Sequence, residues 1–405
     1  MRIKLSRLLF YISFWGLIFY TIVESFTGQW VSNGFIYSYV THVPTQVVLV
    51  KYLAIISLFV LSVYSFSWYN HYVGTVERIL DLFLLLYFAF YLLKTVLDHD
   101  LLSTLFSSVS VLVICLPIMK YVGMNDDIWT LIRKNIPIVL ILSFGCCLVT
   151  FFQYIGNFLV YQVGSAPFKM TFGLAITAMW VYCFANFNKA GGMRIYTAFF
   201  LLLICALITR SRAWIIQTSA LILIYIVNHD DRNHHKIAKF LISVALILLA
   251  GVVITYLFPA MTEELVSRAF EDTRSGQYEV FFEQHSPMIL LFGGGMDASY
   301  HYGGNYNYVF FDNQFMFVAF HYGLLPVISI LGTFFNIWKF KPNNFLNSSD
   351  YQNIKAAKFC ALLLCTVYAG FSVYYQISFG LISFLCFAYF GHSIKNAKIN
   401  QRISV

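Results

Sequence analysis

Arg210 and Arg212 stand in the stretch Thr209, Arg210, Ser211, Arg212, Ala213, Trp214, which joins two long apolar runs with almost no polar spacer. A guanidinium stays charged at any relevant pH and holds phosphate oxygens through paired N–H bonds. A charge near the bilayer midplane costs about 2.5 to 3.5 kcal/mol on insertion scales, and less near the interface, where a long side chain snorkels. Two readings are open. Either both arginines snorkel to lipid phosphates with Trp214 as a belt residue, or they form an anion site. Two cations at a face that otherwise avoids them favour the anion site, and the natural anion at that depth is a lipid-linked phosphate or diphosphate.

A second group of reactive residues lies in the one extended polar segment, 259–309, and just beyond it. Loops of this length are usually functional or disordered, and its aromatics argue against disorder. Those aromatics suit either interfacial anchoring or a surface on which sugar rings stack. Apolar spacing over 263–284 predicts an amphipathic helix or two, with a break expected near Ser275 and Gly276. Arg268 has Glu264 four residues before it and Arg274 has Glu271 three before, so each is either a surface pair or a substrate-binding cation. The run Gly293, Gly294, Gly295 makes a tight turn or a backbone nest for an oxyanion. His285 and His301 share the loop with Glu283 and Asp297 without the spacing of a zinc site, so no metal is expected. Asp312, at the start of an apolar span, either caps a helix or serves as a general base, with His301 the next choice for that base. Neither a P-loop, a Rossmann fingerprint nor a nucleophile elbow is present, so no nucleotide or other cofactor is expected.

The elements that must position these residues are membrane helices. Of 405 residues 60% are hydrophobic and 11% charged, too few polar residues to clothe a soluble core. Stretches of about 20 apolar residues each cross a bilayer, and about twelve are legible, at 12–23, 47–66, 80–97, 101–119, 137–159, 168–185, 195–209, 213–227, 237–258, 310–338, 355–373 and 377–390. The expectation is an all-α polytopic bundle forming a single membrane domain over 1–405, with 259–309 as its large outer loop containing short helices.

With both termini cytoplasmic, most of the 26 Lys and Arg fall on one side, among them Lys4, Arg7, Arg78, Lys120, Arg133, Lys339 and Lys395. Lys51 and Lys94 lie near outer helix ends. Lys169, Arg210, Arg212, Arg268 and Arg274 remain in outer loops, where orientation selects against cations. The net charge of +8 is thus accounted for by orientation and anionic headgroups, with no nucleic-acid partner. All eight cysteines fall in apolar spans, which argues against a disulfide framework.

Thr209 to Trp214 resembles the Ser-Arg-x-x-Trp signature of the O-antigen polymerase and ligase superfamily, which opens a helix ahead of a large periplasmic loop. Ser275, Gly276 and Tyr278, then Phe292 to Gly295, then Asp312 and Asn313, then Tyr322, Gly323 and Leu324 resemble that family's loop and following helix. The resemblance covers mainly 209–326. It implies a protein of the bacterial inner membrane that moves a glycan from undecaprenyl diphosphate to the sugar of a new lipid-linked repeat unit at the periplasmic face. The diphosphate is both activating and leaving group, and a chain-length regulator protein is a further expected partner.

On that reading Arg210, Arg212 and Arg274 stabilise the leaving diphosphate and Asp312 or His301 is the base. Arg268, Lys169, Tyr278 and Asn313 bind substrate. Ligases of the family usually carry His-Asn where this chain has Asp312 and Asn313, which favours a Wzy-type polymerase. Gln277 stands where many members have arginine, so Arg274 or Arg268 must serve instead. The alternatives are an O-antigen ligase acting on lipid A core and a lipid-linked-oligosaccharide flippase, which would carry charged residues along a path inside the bundle.

Overall fold

A computed structural model describes residues 4–33, 36–41, 43–98, 111–160, 165–185, 193–208, 212–228, 236–257, 274–295, 297–309, 311, 313–340, 348–370 and 381–403, with isolated positions 259 and 263. The described chain is mostly helical. Three helical stretches, Leu5–Glu24, Thr45–Tyr72 and Asp126–Phe152, are long and apolar enough to cross a membrane, the character of a helical membrane protein. The chain divides into two compact units, one of Met1–Phe10, Ile55–Trp129 and Asp272–Val405, the other of Tyr11–Ala54 and Thr130–Glu271.

In chain order the helices are α1 Leu5–Thr27, α2 Thr45–Tyr69, α3 Thr75–Asp98, a 3-10 helix Val111–Met119, α4 Lys120–Gly123, α5 Asp126–Val160, α6 Ser165–Ala185, α7 Met193–Ile208, α8 Arg212–Asn228 and α9 Lys236–Leu257. After them come α10 Arg274–Gln284, α11 Met288–Phe292, α12 Gln314–Tyr322, α13 Leu324–Lys339, α14 Ser348–Gly370 and α15 Leu381–Ile403. Two antiparallel hairpins depart from the all-α expectation: β1 Gly28–Asn33 with β2 Ile36–Thr41, and β3 Tyr300–Tyr302 with β4 Asn305–Tyr308. The first hairpin carries Trp, Val, Ile, Tyr and Thr and the second four tyrosines, residues that suit strands.

Three expected spans change form. Of 101–119 the described part is the 3-10 helix carrying Pro117, and it passes into α4, all of whose residues are buried. The span at 137–159 lies inside the longer α5, which also carries Arg133 and Lys134 as helix residues. The span at 310–338 is broken at Gly323 into α12 and α13. Gly323 sits at φ +80°, a conformation other residues rarely adopt, and a Cβ there would lie 2.6 Å from the Leu291 carbonyl oxygen. Pro326 falls in the first turn of α13, where a missing N–H costs nothing.

In the first unit α3, the 3-10 helix, α4 and α12 to α15 enclose a core that includes Leu84, Phe88, Ile114, Tyr121, Phe334 and Phe390. Backbone meets backbone where α4 crosses α15. A Cβ on Gly123 would lie 1.7 Å from the Ala388 oxygen, and one on Gly391 1.7 Å from the Lys120 oxygen. Small residues permit such approach between membrane helices, where packing rather than water drives association.

One end of this unit is charged. Asp127 is paired with Lys4 at 3.1 Å and Arg7 at 3.3 Å. Lys395 donates to the Met124 carbonyl at 2.9 Å and to Asp126. Trp129 stacks on His392. Lys4, Arg7 and Lys395, all expected on one side from the charge pattern, thus gather around a pair of aspartates.

The second unit includes α6 to α9, packed around Phe172, Met179, Phe199, Leu202, Trp214 and Tyr225. Tyr20 donates to the buried Glu24 at 3.0 Å, and the Lys51 ammonium lies 4.4 Å from the centre of the Tyr20 ring.

Candidate functional site

The loop region of the first unit is an ordered assembly. One face of α10, formed by Gln277, Phe281, Gln284 and His285 at helical spacing, docks the β3–β4 hairpin. Gln277 Nε2 donates to the Tyr300 hydroxyl at 2.8 Å in a buried contact. Gln284 accepts from the His301 N–H at 2.7 Å and donates to the His301 carbonyl at 2.9 Å, so an amide side chain pairs with β3 as a strand would. His285 Nε2 lies 3.1 Å from the Ser299 carbonyl oxygen. Inside, Phe281 meets Tyr300, Phe311 and Phe320 with ring centres 5.5, 4.9 and 5.2 Å apart. Such pairs add about 0.5 to 1.5 kcal/mol each beyond burial. Phe281 and Tyr300 of the loop are therefore core, a role neither sequence reading assigned them.

The glycine run is not an oxyanion nest. The Gly294 N–H is taken by the Phe320 carbonyl at 2.7 Å and the Gly295 N–H by the His321 carbonyl at 3.0 Å, both at the end of α12. A Cβ at Gly293 would lie 2.6 Å from the His321 oxygen, so this position is glycine because backbone crosses backbone there. Tyr87 and Tyr91 of α3 complete the joint, Tyr87 donating to the Tyr322 carbonyl at 3.0 Å and Tyr91 to the His321 carbonyl at 3.1 Å. The His321 ring lies between the Gly295 and Val309 carbonyls, each 2.9 Å from a ring nitrogen, and so clasps both ends of the hairpin segment. A neutral ring donates to one of the two, an imidazolium to both.

His301 is exposed and stacks on the exposed Tyr306 ring, with centres 4.4 Å apart and planes 19° apart. Tyr278 is half-buried and stacks on Phe311 at 6.5 Å. Asn313 caps α12, its Oδ1 accepting from the Phe315 N–H at 2.9 Å and the Met316 N–H at 3.2 Å. The capping role considered for Asp312 belongs to its neighbour. Asp312, Arg210 and Arg268 lie outside the described residues. Arg274 opens α10, which runs on through Ser275 and Gly276 without the expected break, because Gly276 has open space around it and the docked face holds the helix. Gln277 is committed to Tyr300 as an internal support.

In the second unit Arg212 is the first residue of α8 and Lys169 lies in the first turn and a half of α6. Phe172 and Trp214 join the two helices edge to face at 5.2 Å. Lys169 and Arg212, each within a turn of that contact, therefore occupy the same end of neighbouring helices, the end where both helix dipoles are positive. Trp214 is buried against Phe172, which removes it from the interfacial belt.

The charged residue that sequence reasoning misplaced is Lys120 in α4. Lys120, expected in an inner loop, is completely buried and bonded to Glu77 and to Asp81, the latter at 2.7 Å. Tyr121 donates to Asp81 Oδ2 at 2.6 Å, Ser329 to Asp81 Oδ1 at 3.4 Å and Asn336 to Glu77 Oε2 at 2.6 Å. Every oxygen of the two carboxylates has a donor, and the network ties α3, α4 and α13 together. The available signal was Glu77 and Asp81 four residues apart on one helix face, which in an apolar setting demand a cation. Compared with known proteins, the chain matches no family model, no curated protein and no solved structure, so its chemistry must be argued from its own residues.

Proposed function

We propose that this chain is a membrane-embedded glycosyltransferase of the Wzy type. It transfers a glycan chain from undecaprenyl diphosphate onto a new lipid-linked repeat unit of O-antigen or a related surface polysaccharide, at the periplasmic face of the bacterial inner membrane. The observation that carries the reading is the ring contact between Phe172 and Trp214, which joins α6 and α8 within a turn of Lys169 and Arg212, with Arg210 two residues before Arg212. Cations and helix N-termini together favour a diphosphate, and guanidinium groups stabilise the charge that develops on it as it leaves. Asp312 is the proposed base, since Asn313 does the capping, and the exposed His301 is the second choice. Asn313 keeps its amide nitrogen to donate to a sugar, and Tyr278 offers a ring face.

The ligase reading shares this chemistry and differs in the acceptor. For a flippase the specific observation is the buried Lys120, Glu77 and Asp81 group, but its carboxylate oxygens are all engaged in joining three elements. The test is the lipopolysaccharide ladder. A strain lacking the gene should show one capping repeat, whereas bare core means ligase or flippase. Arg212→Ala at matched protein level should abolish long chains, and Arg212→Lys should rescue only partly, because an ammonium cannot make the paired contact. Full-length chains from Arg212→Ala would reduce Arg212 to a snorkelling anchor.

A further inference from the structure

The five residues of α11, Met288–Phe292, are all apolar and none is buried, with Phe292 69% exposed. An exposed apolar helix needs a cover, and its surroundings in the first unit specify which. The Tyr87 and Tyr91 hydroxyls of α3, which donate to the Tyr322 and His321 carbonyls, also lie 3.3 and 3.4 Å from the Phe292 carbonyl oxygen, so the end of α11 is pinned against α3 at their level. On either side of those tyrosines α3 presents Leu86, Phe90, Leu93 and Leu97, all exposed at helical spacing, a stripe that faces lipid. Leu97 lies six residues beyond Tyr91, about 9 Å further along the helix at 1.5 Å per residue. The pinned end of α11 therefore sits within the apolar stripe, not past its end.

The backbone of the segment also suits a medium without water, where each unpaired polar group costs several kcal/mol. Ile289 and Leu290 N–H groups bond the Ser286 and Pro287 carbonyls, and Gly293 bonds Ile289. Gly294 and Gly295 bond the end of α12, and the Phe292 carbonyl oxygen lies within 3.4 Å of two tyrosine hydroxyls.

From this geometry we infer that Met288–Phe292 is a membrane-docking element whose occupant is the acyl chains of one bilayer leaflet, so the loop dips into lipid at α11 and leaves it again before the β3–β4 hairpin. This surface is independent of the glycan reading and survives its failure.

The test uses the full chain in vesicles of phosphatidylcholine and phosphatidylglycerol. Leu291→Cys and Tyr306→Cys are compared for reaction with a membrane-impermeant maleimide. Leu291→Cys should react at least about tenfold more slowly, because a thiolate is disfavoured out of water. Equal rates overturn the inference. A second measurement does not depend on that variant folding: the photo-crosslinking residue benzoylphenylalanine replaces Phe292, of similar shape, and after irradiation the protein is weighed. Adducts of phospholipid mass support the inference. No lipid adduct, or a crosslink to a second polypeptide chain, overturns it.

Discussion

Replacing Lys120 with Met keeps the length of the side chain and removes its charge, and the burial of its partners sets the size of the effect. Lys120 and Asp81 side chains have no exposure and Glu77 has 9%. One cation therefore serves two carboxylates that water does not reach. Breaking a buried ion pair by deleting one partner costs about 3 to 5 kcal/mol, because the surviving charge stays buried and unpaired. Lys120→Met should thus lose about 4 kcal/mol.

Adding Glu77→Gln and Asp81→Asn should return most of that loss. Both amides keep a carbonyl oxygen for Asn336 and for Tyr121 or Ser329, and forfeit about one ordinary hydrogen bond, about 1 kcal/mol. The assay is thermal unfolding of the purified chain in detergent, followed through its seven tryptophans. A single variant that melts at the wild-type temperature, or a triple variant no more stable than the single one, would show that the network does not hold α3, α4 and α13 together.

Gly391→Leu should prevent folded protein from accumulating, since its first side-chain atom would fall 1.7 Å from the Lys120 oxygen, whereas Gly276→Ala, with open space, should be neutral or stabilise α10 by up to about 1 kcal/mol; membrane yield by size-exclusion fluorescence separates the two. Asn313→Ala should cost about 1 kcal/mol through loss of the α12 cap and Asn313→Asp very little, read as a melting shift. Asp312→Asn, by contrast, should cut polymerisation about a hundredfold or more if Asp312 is the general base, and a normal ladder would move that role to His301. Gln277→Arg should lower yield because the side chain is buried against Tyr300; wild-type yield and activity would show that the position tolerates a cation.

What the sequence determined alone is what local composition encodes. Hydropathy marks a helical membrane protein because a bilayer demands long apolar runs with their backbone groups satisfied internally, and cations such as Lys4, Arg7 and Lys395 carry a side preference that each segment shows independently. The helical spacing of 274–284 was legible for the same reason. What only the tertiary structure decided is which segments meet. Lys120 lies 43 residues from Glu77, and nothing local distinguishes a loop lysine from one buried between carboxylates. The glycine run reads alike as nest or tight turn until the end of α12 is seen to take the Gly294 and Gly295 N–H groups. Asp312 and Asn313 are both good caps, and the turn into α12 chose between them. The aromatics of the loop suit a membrane surface or a sugar, because ring area is favourable in both, and only the packing of Phe281 and Tyr300 against Phe311 and Phe320 shows that these two are core.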